Sequence, residues 1–285
     1  AALVVAISQG DQLGWVSPPV VACLLLAAAL GTAFVGRERR HPAPMVDVRL
    51  FLRRPFAAGV ASTLLAFVVL FGVLVVVPYY FERSLGAGTV RTGLELMAMP
   101  LALGVVAPMA GRVADRIGVR MLSGAGMVIA AAALLWLSAA RPSQGAFAGL
   151  LAMLGVGLGL FNAPNNAGIM ASVPPSQSGL ASGLMNMSRG LGTALGLAVT
   201  TSVFVAAGGG SHLAGPVAHA FSVSCAVLAV VALAAAVIAG TGDTPEAPLP
   251  RRPAPVPSTA GRSAARPGST AGTAGAAGTG AGRSP

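Results

Sequence analysis

The chain contains no lysine, only eight acidic residues, three histidines and two cysteines, and charged residues fill just 9% of its 285 positions. A soluble globular protein carries about 25% charged residues, so composition argues against a soluble fold. Cys23 and Cys225 stand alone inside apolar segments, without the clustering or spacing that a metal site or disulfide framework needs. His41, His212 and His219 are equally scattered and read as loop or interfacial residues. No nucleophile–base pair and no metal cluster appears, so neither an enzyme nor a cofactor is expected.

What the chain has instead is apolar length. Hydrophobic residues make up 55% of it, and the formal net charge of +10 comes entirely from arginine among the basic residues. Most of these arginines collect between or after apolar runs. That pattern fits a membrane protein with a positive cytoplasmic face, and it argues against a nucleic-acid partner.

The opening run, AALVVAIS, is too short for a span, starts without methionine and lacks the basic start of a signal peptide. A missing upstream part is expected. Seven spans follow, at about 16–36, 56–81, 93–110, 121–140, 146–170, 179–207 and 217–240, each near the 20 or so residues that cross a bilayer. Loops on one side hold six arginines (37–54) and three (112–120), and the tail adds five. The other side has Arg83, Arg91 and Arg141 alone. This alternation puts the tail in the cytoplasm. Trp15 and the Pro78-Tyr79-Tyr80-Phe81 stretch suit interfacial aromatic belts. Pro100 and Pro108 are expected kinks. The tail, 241–285, is almost all Pro, Ala, Gly, Ser, Thr and Arg, cannot bury a core, and is expected to be disordered.

The region from Ala146 to Ala207 holds the main uncharged polar clusters and one deep charge. In its second span Ser182, Asn186, Arg189, Thr193 and Thr200 share one helical face; in its first, Gly155, Gly159, Asn162 and Asn166 do. Polar stripes in lipid belong against protein or water, because a charge at the bilayer centre costs several kcal/mol. Asn162, Asn165, Asn166, Asn186 and Arg189 are therefore the candidate cavity residues. Arg189 is expected to line the cavity bonded to Asn162 or Asn166, holding the substrate path in one state; the competing roles are helix bridging for the asparagines and snorkelling for the arginine, or its neutralisation by backbone carbonyls. The pairs Gly155/Gly159, Gly179/Gly183 and Gly192/Gly196 predict close helix approach.

Between the third and fourth spans the chain reads GRVADRIGVR, 111–120. This resembles the G-x-L-A-D-R-x-G-x-R loop of the major facilitator superfamily, with Val113 where leucine is usual. Gly111 would let a helix end sit close to its neighbour. Asp115 can accept bonds or pair with an arginine, and Arg116 and Arg120 can tie helix ends together. With Gly118, these residues form a candidate gate loop. The simpler alternative is positive-inside charge.

GWVSP, RERRHPAPMVDVRLFLRRPF, VPYYFERSLGAGTVRTGLELMAMP and the NAPNNAGIM…GLMNMSRGLG run are similar to the fourteen-span drug/proton antiporter family. In that family two extra spans link two six-helix halves. The resemblance implies an all-α integral membrane bundle: a remnant and linking span (1–36), a basic cytoplasmic loop (37–55), a six-span C-terminal half (56–240) and the tail. It implies proton-coupled efflux of hydrophobic drugs or antibiotics across the bacterial cell membrane by alternating access. Its partners would be a hydrophobic small molecule, protons, the lipid bilayer and a missing N-terminal half. Glu82 stands where that family often has glutamine. Glu95, the only carboxylate near a span interior, reads as interfacial more readily than as a proton carrier. The rival expectations are a superfamily transporter of another solute, and a truncated, non-transporting membrane module.

Overall fold

A computed structural model describes residues 53–139, 144–211 and 213–241. The first expected span, the run before it, most of the basic loop and the tail beyond 241 lie outside the described residues. The described helices fall in one compact unit, Ala1–Pro245; a second unit, Glu246–Pro285, lies outside the described residues.

Six helices occupy the other six expected spans, each apolar and long enough to cross a membrane. They are α1 (Arg54–Ser84), α2 (Thr89–Ile117), α3 (Val119–Ala139), α4 (Gln144–Ala171), α5 (Ser178–Phe204) and α6 (Ala214–Thr241). No strand occurs among the described residues. A 3₁₀ turn at Pro175–Gln177 precedes α5, and a π-turn at Val205–Gly209 follows it. Proline opens α1, where the missing N–H is one the first turn leaves unpaired anyway. Pro100 and Pro108 both lie inside α2, which continues through them.

One boundary differs from the sequence reading. Residues 111–117, expected as loop, form the last two turns of α2. Nothing in GRVADRI stops a helix until Gly118, whose φ of 90° lies in the left-handed region that glycine adopts without strain. The connection to α3 is that single residue.

The packing has an internal symmetry. α4 lies against α2 and α3, α1 lies against α5 and α6, α3 packs on α6, and α1 touches α4. Exchanging the first three helices for the last three leaves this set unchanged. The exchanged helices run in opposite directions: Arg53 at the start of α1 donates to the Ser172 carbonyl just past the end of α4, 3.3 Å. Arg120 at the start of α3 likewise donates to the Gly240 carbonyl at the end of α6. The unit is thus an inverted three-plus-three repeat.

Glycine makes the tightest contacts, as two of the three predicted pairs foresee. A Cβ on Gly155 would stand 2.2 Å from the Met99 carbonyl oxygen of α2, and one on Gly192 would stand 2.4 Å from that of Leu64 in α1. Gly159 and Gly196 repeat these approaches one turn on. Gly179 and Gly183 meet nothing within 4 Å. Gly126 and Gly157 face each other's carbonyls across α3 and α4, a crossing the sequence reading missed.

The aromatic stretch ending α1 also differs from expectation. Tyr79 is 46% exposed, but Tyr80 and Phe81 are 5% and 0%. Tyr80 stacks on Phe221 of α6 at 4.3 Å, and Phe81 meets Phe147 of α4 edge-on at 4.7 Å. Three helices offer these rings a desolvated site, and aromatic pairing adds to area burial. The stretch is a core lock at the Ser84 end of the bundle, with Tyr79 alone at its rim.

Candidate functional site

The polar residues of α4 divide over two faces. Asn165 is buried and turned to α1: its Nδ2 donates to the Thr63 hydroxyl at 2.8 Å and the Gly59 carbonyl at 3.1 Å. Ser62 donates to its Oδ1 at 3.4 Å. This is a satisfied bridge between helices, with no side-chain polar group left for a ligand. Asn162 and Asn166 lie on the other side, where Asn166 Nδ2 donates to Asn162 Oδ1 at 2.9 Å. Asn166 Oδ1 is buried with no hydrogen-bond partner. Asn162 lines an open cleft of ≈ 230 Å³ with Ala66, Phe67 and Leu70 of α1 and Leu103 of α2.

On α5, Asn186 is exposed and accepts from Arg189 Nη1 at 3.4 Å. The Arg189 guanidinium lies over the Phe67 ring, 5.6 Å from its centroid, and its Nε is buried without a partner. Thr193 donates back to the Arg189 carbonyl at 2.9 Å, and Thr200 is buried against α1 at Gly72. The structure thus brings Asn162 with Asn166, and Asn186 with Arg189, and sets Asn165 apart. Phe67 joins the two pairs, since it lines the cleft and carries the guanidinium. Sequence reasoning missed Phe67, as one aromatic in an apolar span carries no periodic signal. Sequence reasoning also missed Ser62 and Thr63, two hydroxyls in an apolar span whose partner comes from a distant helix.

Half of the segment 111–120 is exposed, Ala114 is buried and the rest is part-buried. Asp115 and Arg116 both face outward, and Asp115 makes no ion pair among the described residues. A Cβ on Gly111 would meet nothing within 4 Å, so its expected close helix approach is not made here. Gly118 supplies the turn, and Arg120 ties α3 to the carbonyl end of α6, where a cation also suits the helix dipole. Glu95 is part-buried in the second turn of α2, and its Oε2 has no hydrogen-bond partner.

The sequence profile of the Major Facilitator Superfamily matches residues 2–197 and again 59–281. The chain belongs to this superfamily. It is 33% identical over 207 residues to the multidrug resistance protein Stp of Mycobacterium tuberculosis, covering 72% of this chain and 38% of Stp. It is 32% identical over 228 residues to the uncharacterized transporter YebQ of Escherichia coli, covering 79% of this chain and 48% of that protein. With the lincomycin resistance protein LmrB of Listeria monocytogenes it shares 24% identity over 206 residues, 72% of this chain and 44% of LmrB. The chain therefore spans less than half the length of these relatives. Superfamily membership fits a multi-pass membrane protein of a transporter family, in agreement with six membrane-length helices and an inverted repeat.

The separate place of Asn165 yields a test within this superfamily fold. Asn165→Ala would remove the hydrogen bonds from α4 to Ser62, Thr63 and Gly59, at about 0.5–1.5 kcal/mol for each bond lost, while both hydroxyls keep their bonds to the Gly59 carbonyl. Its melting temperature in detergent should fall by several degrees, whereas Asn162→Ala, at the cleft wall, should melt close to the parent protein.

Proposed function

We propose that this chain forms the C-terminal portion of an exporter of hydrophobic drugs or antibiotics. It acts in the bacterial cell membrane, is coupled to protons, and has its tail in the cytoplasm. The observation that carries this reading is the polar wall on α4 and α5, Asn162 with Asn166 and Asn186 with Arg189, beside an otherwise apolar cleft. A few fixed polar groups on an apolar surface hold varied hydrophobic molecules. The cleft is open on one side, which suits one wall of a site shared with a further helix bundle. Transport follows by rocking of this bundle against its counterpart around that site.

The arginine count supports the orientation: Arg53, Arg54, Arg112, Arg116 and Arg120 lie at the end where α2 and α6 finish and α1 begins. At that end Gly118, Arg120 and the exposed Asp115 and Arg116, at the end of α2 begun by Gly111, make the gate. Asp115 is free to pair with a group outside the six helices, and that pair opens and closes with the cytoplasmic entrance.

Efflux from cells tests the reading. Expression of the transporter assembled from this chain and its counterpart bundle should lower accumulation of several unrelated hydrophobic compounds, and a protonophore should restore it. Dependence on one solute alone, or insensitivity to the protonophore, would replace the reading with that of another kind of superfamily transporter.

A further inference from the structure

We infer that Arg189 makes this wall selective for anionic aromatic substrates, those carrying a carboxylate or a similar acid, over cationic ones. The inference rests on the exporter reading above and names the substrate class of the same site.

Arg189 lies 11 residues past Ser178, about 16 Å along α5 by helix rise, well inside the membrane-spanning length. A cation at that depth needs a counter-charge, polar protein or water. Among the described residues it forms no ion pair. Its hydrogen-bond partner is the neutral Asn186 amide, at a long 3.4 Å, and its Nε is buried without one. The described acids lie elsewhere. Glu82 is exposed near the opposite end of α1, Asp115 is in the last turn of α2, and Glu95 is in the second turn of α2. The guanidinium keeps most of its five donors for something outside the bundle.

The second observation is the amide beside it. Because Asn166 donates to Asn162 Oδ1, the Asn162 amide keeps its own N–H groups as donors, without a partner among the described residues. Two donors are presented around Phe67, a guanidinium on the ring and an amide in the cleft that the ring lines, while the unpartnered acceptor Asn166 Oδ1 is buried behind Asn162. Such a pair matches an acceptor, best an ionised one. Phe67, Leu70 and Leu103 supply the apolar surface for an attached ring. A carboxylate would meet charge-assisted hydrogen bonds in a low-dielectric setting, where they are strongest. A cationic substrate of the same shape would meet an unscreened like charge.

A matched series tests this on the assembled transporter, this chain together with its counterpart bundle, in lipid nanodiscs: 1-naphthoate, 1-naphthamide and 1-naphthylmethylammonium, with binding read from naphthalene fluorescence. The expected order is naphthoate about tenfold or more tighter than naphthamide, with the ammonium compound weakest. Arg189→Gln should bring naphthoate down to the naphthamide level and leave naphthamide binding nearly unchanged. Arg189→Lys, which keeps the charge, should keep the preference. Equal binding of the three to the parent protein, a preference for the cation, or a naphthoate preference that survives Arg189→Gln would overturn the assignment. The parent-protein ranking decides even if Arg189→Gln does not fold. Efflux of neutral dyes without any charge preference in binding would sink this inference while the exporter reading stands. An Arg189-dependent naphthoate preference without efflux would do the reverse.

Discussion

Gly155→Ala should destabilise the bundle by about 3 kcal/mol or prevent its assembly, the upper end of what overpacking costs. The added carbon would stand 2.2 Å from the Met99 carbonyl oxygen and 3.0 Å from the Met99 carbonyl carbon. Both are backbone atoms of α2, so no side chain can turn aside and the helices must separate. That separation would move Leu103 and Asn162 apart, since both line the same cleft. Gly149→Ala, earlier on α4, is the matched control: nothing lies within 4 Å of its Cβ position. It should be neutral or slightly stabilising, because alanine is favoured over glycine in a helix by about 1 kcal/mol. Size-exclusion chromatography and thermal unfolding in detergent separate the two. A Gly155→Ala protein that elutes and melts like the parent would show that α2 and α4 do not touch through their backbones.

Asp115→Asn should abolish transport, lowering the initial efflux rate by about ten- to a hundredfold, while expression and membrane insertion stay unchanged. The range follows from losing one charge-assisted interaction of about 1.5–3 kcal/mol. Asp115 is exposed and unpaired among the described residues, so its loss leaves no buried group stranded and the fold should not suffer. Arg120→Gln should behave differently. It removes the tie from α3 to the Gly240 carbonyl and should lower thermal stability as well as rate. Efflux from vesicles, beside a melting curve for each variant, reads both. Full activity of Asp115→Asn would end the gate proposal and leave the segment as topology-setting charge.

The sequence exposed the six described helices because each is a long apolar run bounded by glycine, proline or arginine, and a membrane permits few alternatives to a helix there. Asn162 with Asn166 and Asn186 with Arg189 were legible as shared helical faces, four and three residues apart, but the expected bond from Arg189 to Asn162 or Asn166 is not made: Arg189 meets Asn186 on its own helix. Partners on other helices were not legible. Asn165 is one residue from Asn166, but each residue turns the helix by about 100°, which sends it to α1 instead. Local spacing could not say which helix stood there. The same holds for Tyr80 and Phe81, whose burial depends on Phe147 and Phe221 arriving from distant parts of the chain. Gly179/Gly183 and Gly192/Gly196 look alike in sequence, yet only the second pair has a helix across from it. End positions suffered for a related reason: the helix in α2 outlasts its apolar run, so polarity misplaced its boundary at 110.

The division of the α4 asparagines carries the account most directly, and thiol labelling measures it. Cys23 and Cys225 would first be replaced by serine or alanine, and cysteine then introduced singly as Asn162→Cys or Asn165→Cys. With a membrane-impermeant methanethiosulfonate, Asn162→Cys should label and be protected by an exported compound, while Asn165→Cys, enclosed by Gly59, Ser62 and Thr63, should stay inert. Labelling at Asn165→Cys with Asn162→Cys inert, or labelling at Asn162→Cys that no exported compound slows, would contradict a substrate path along this wall.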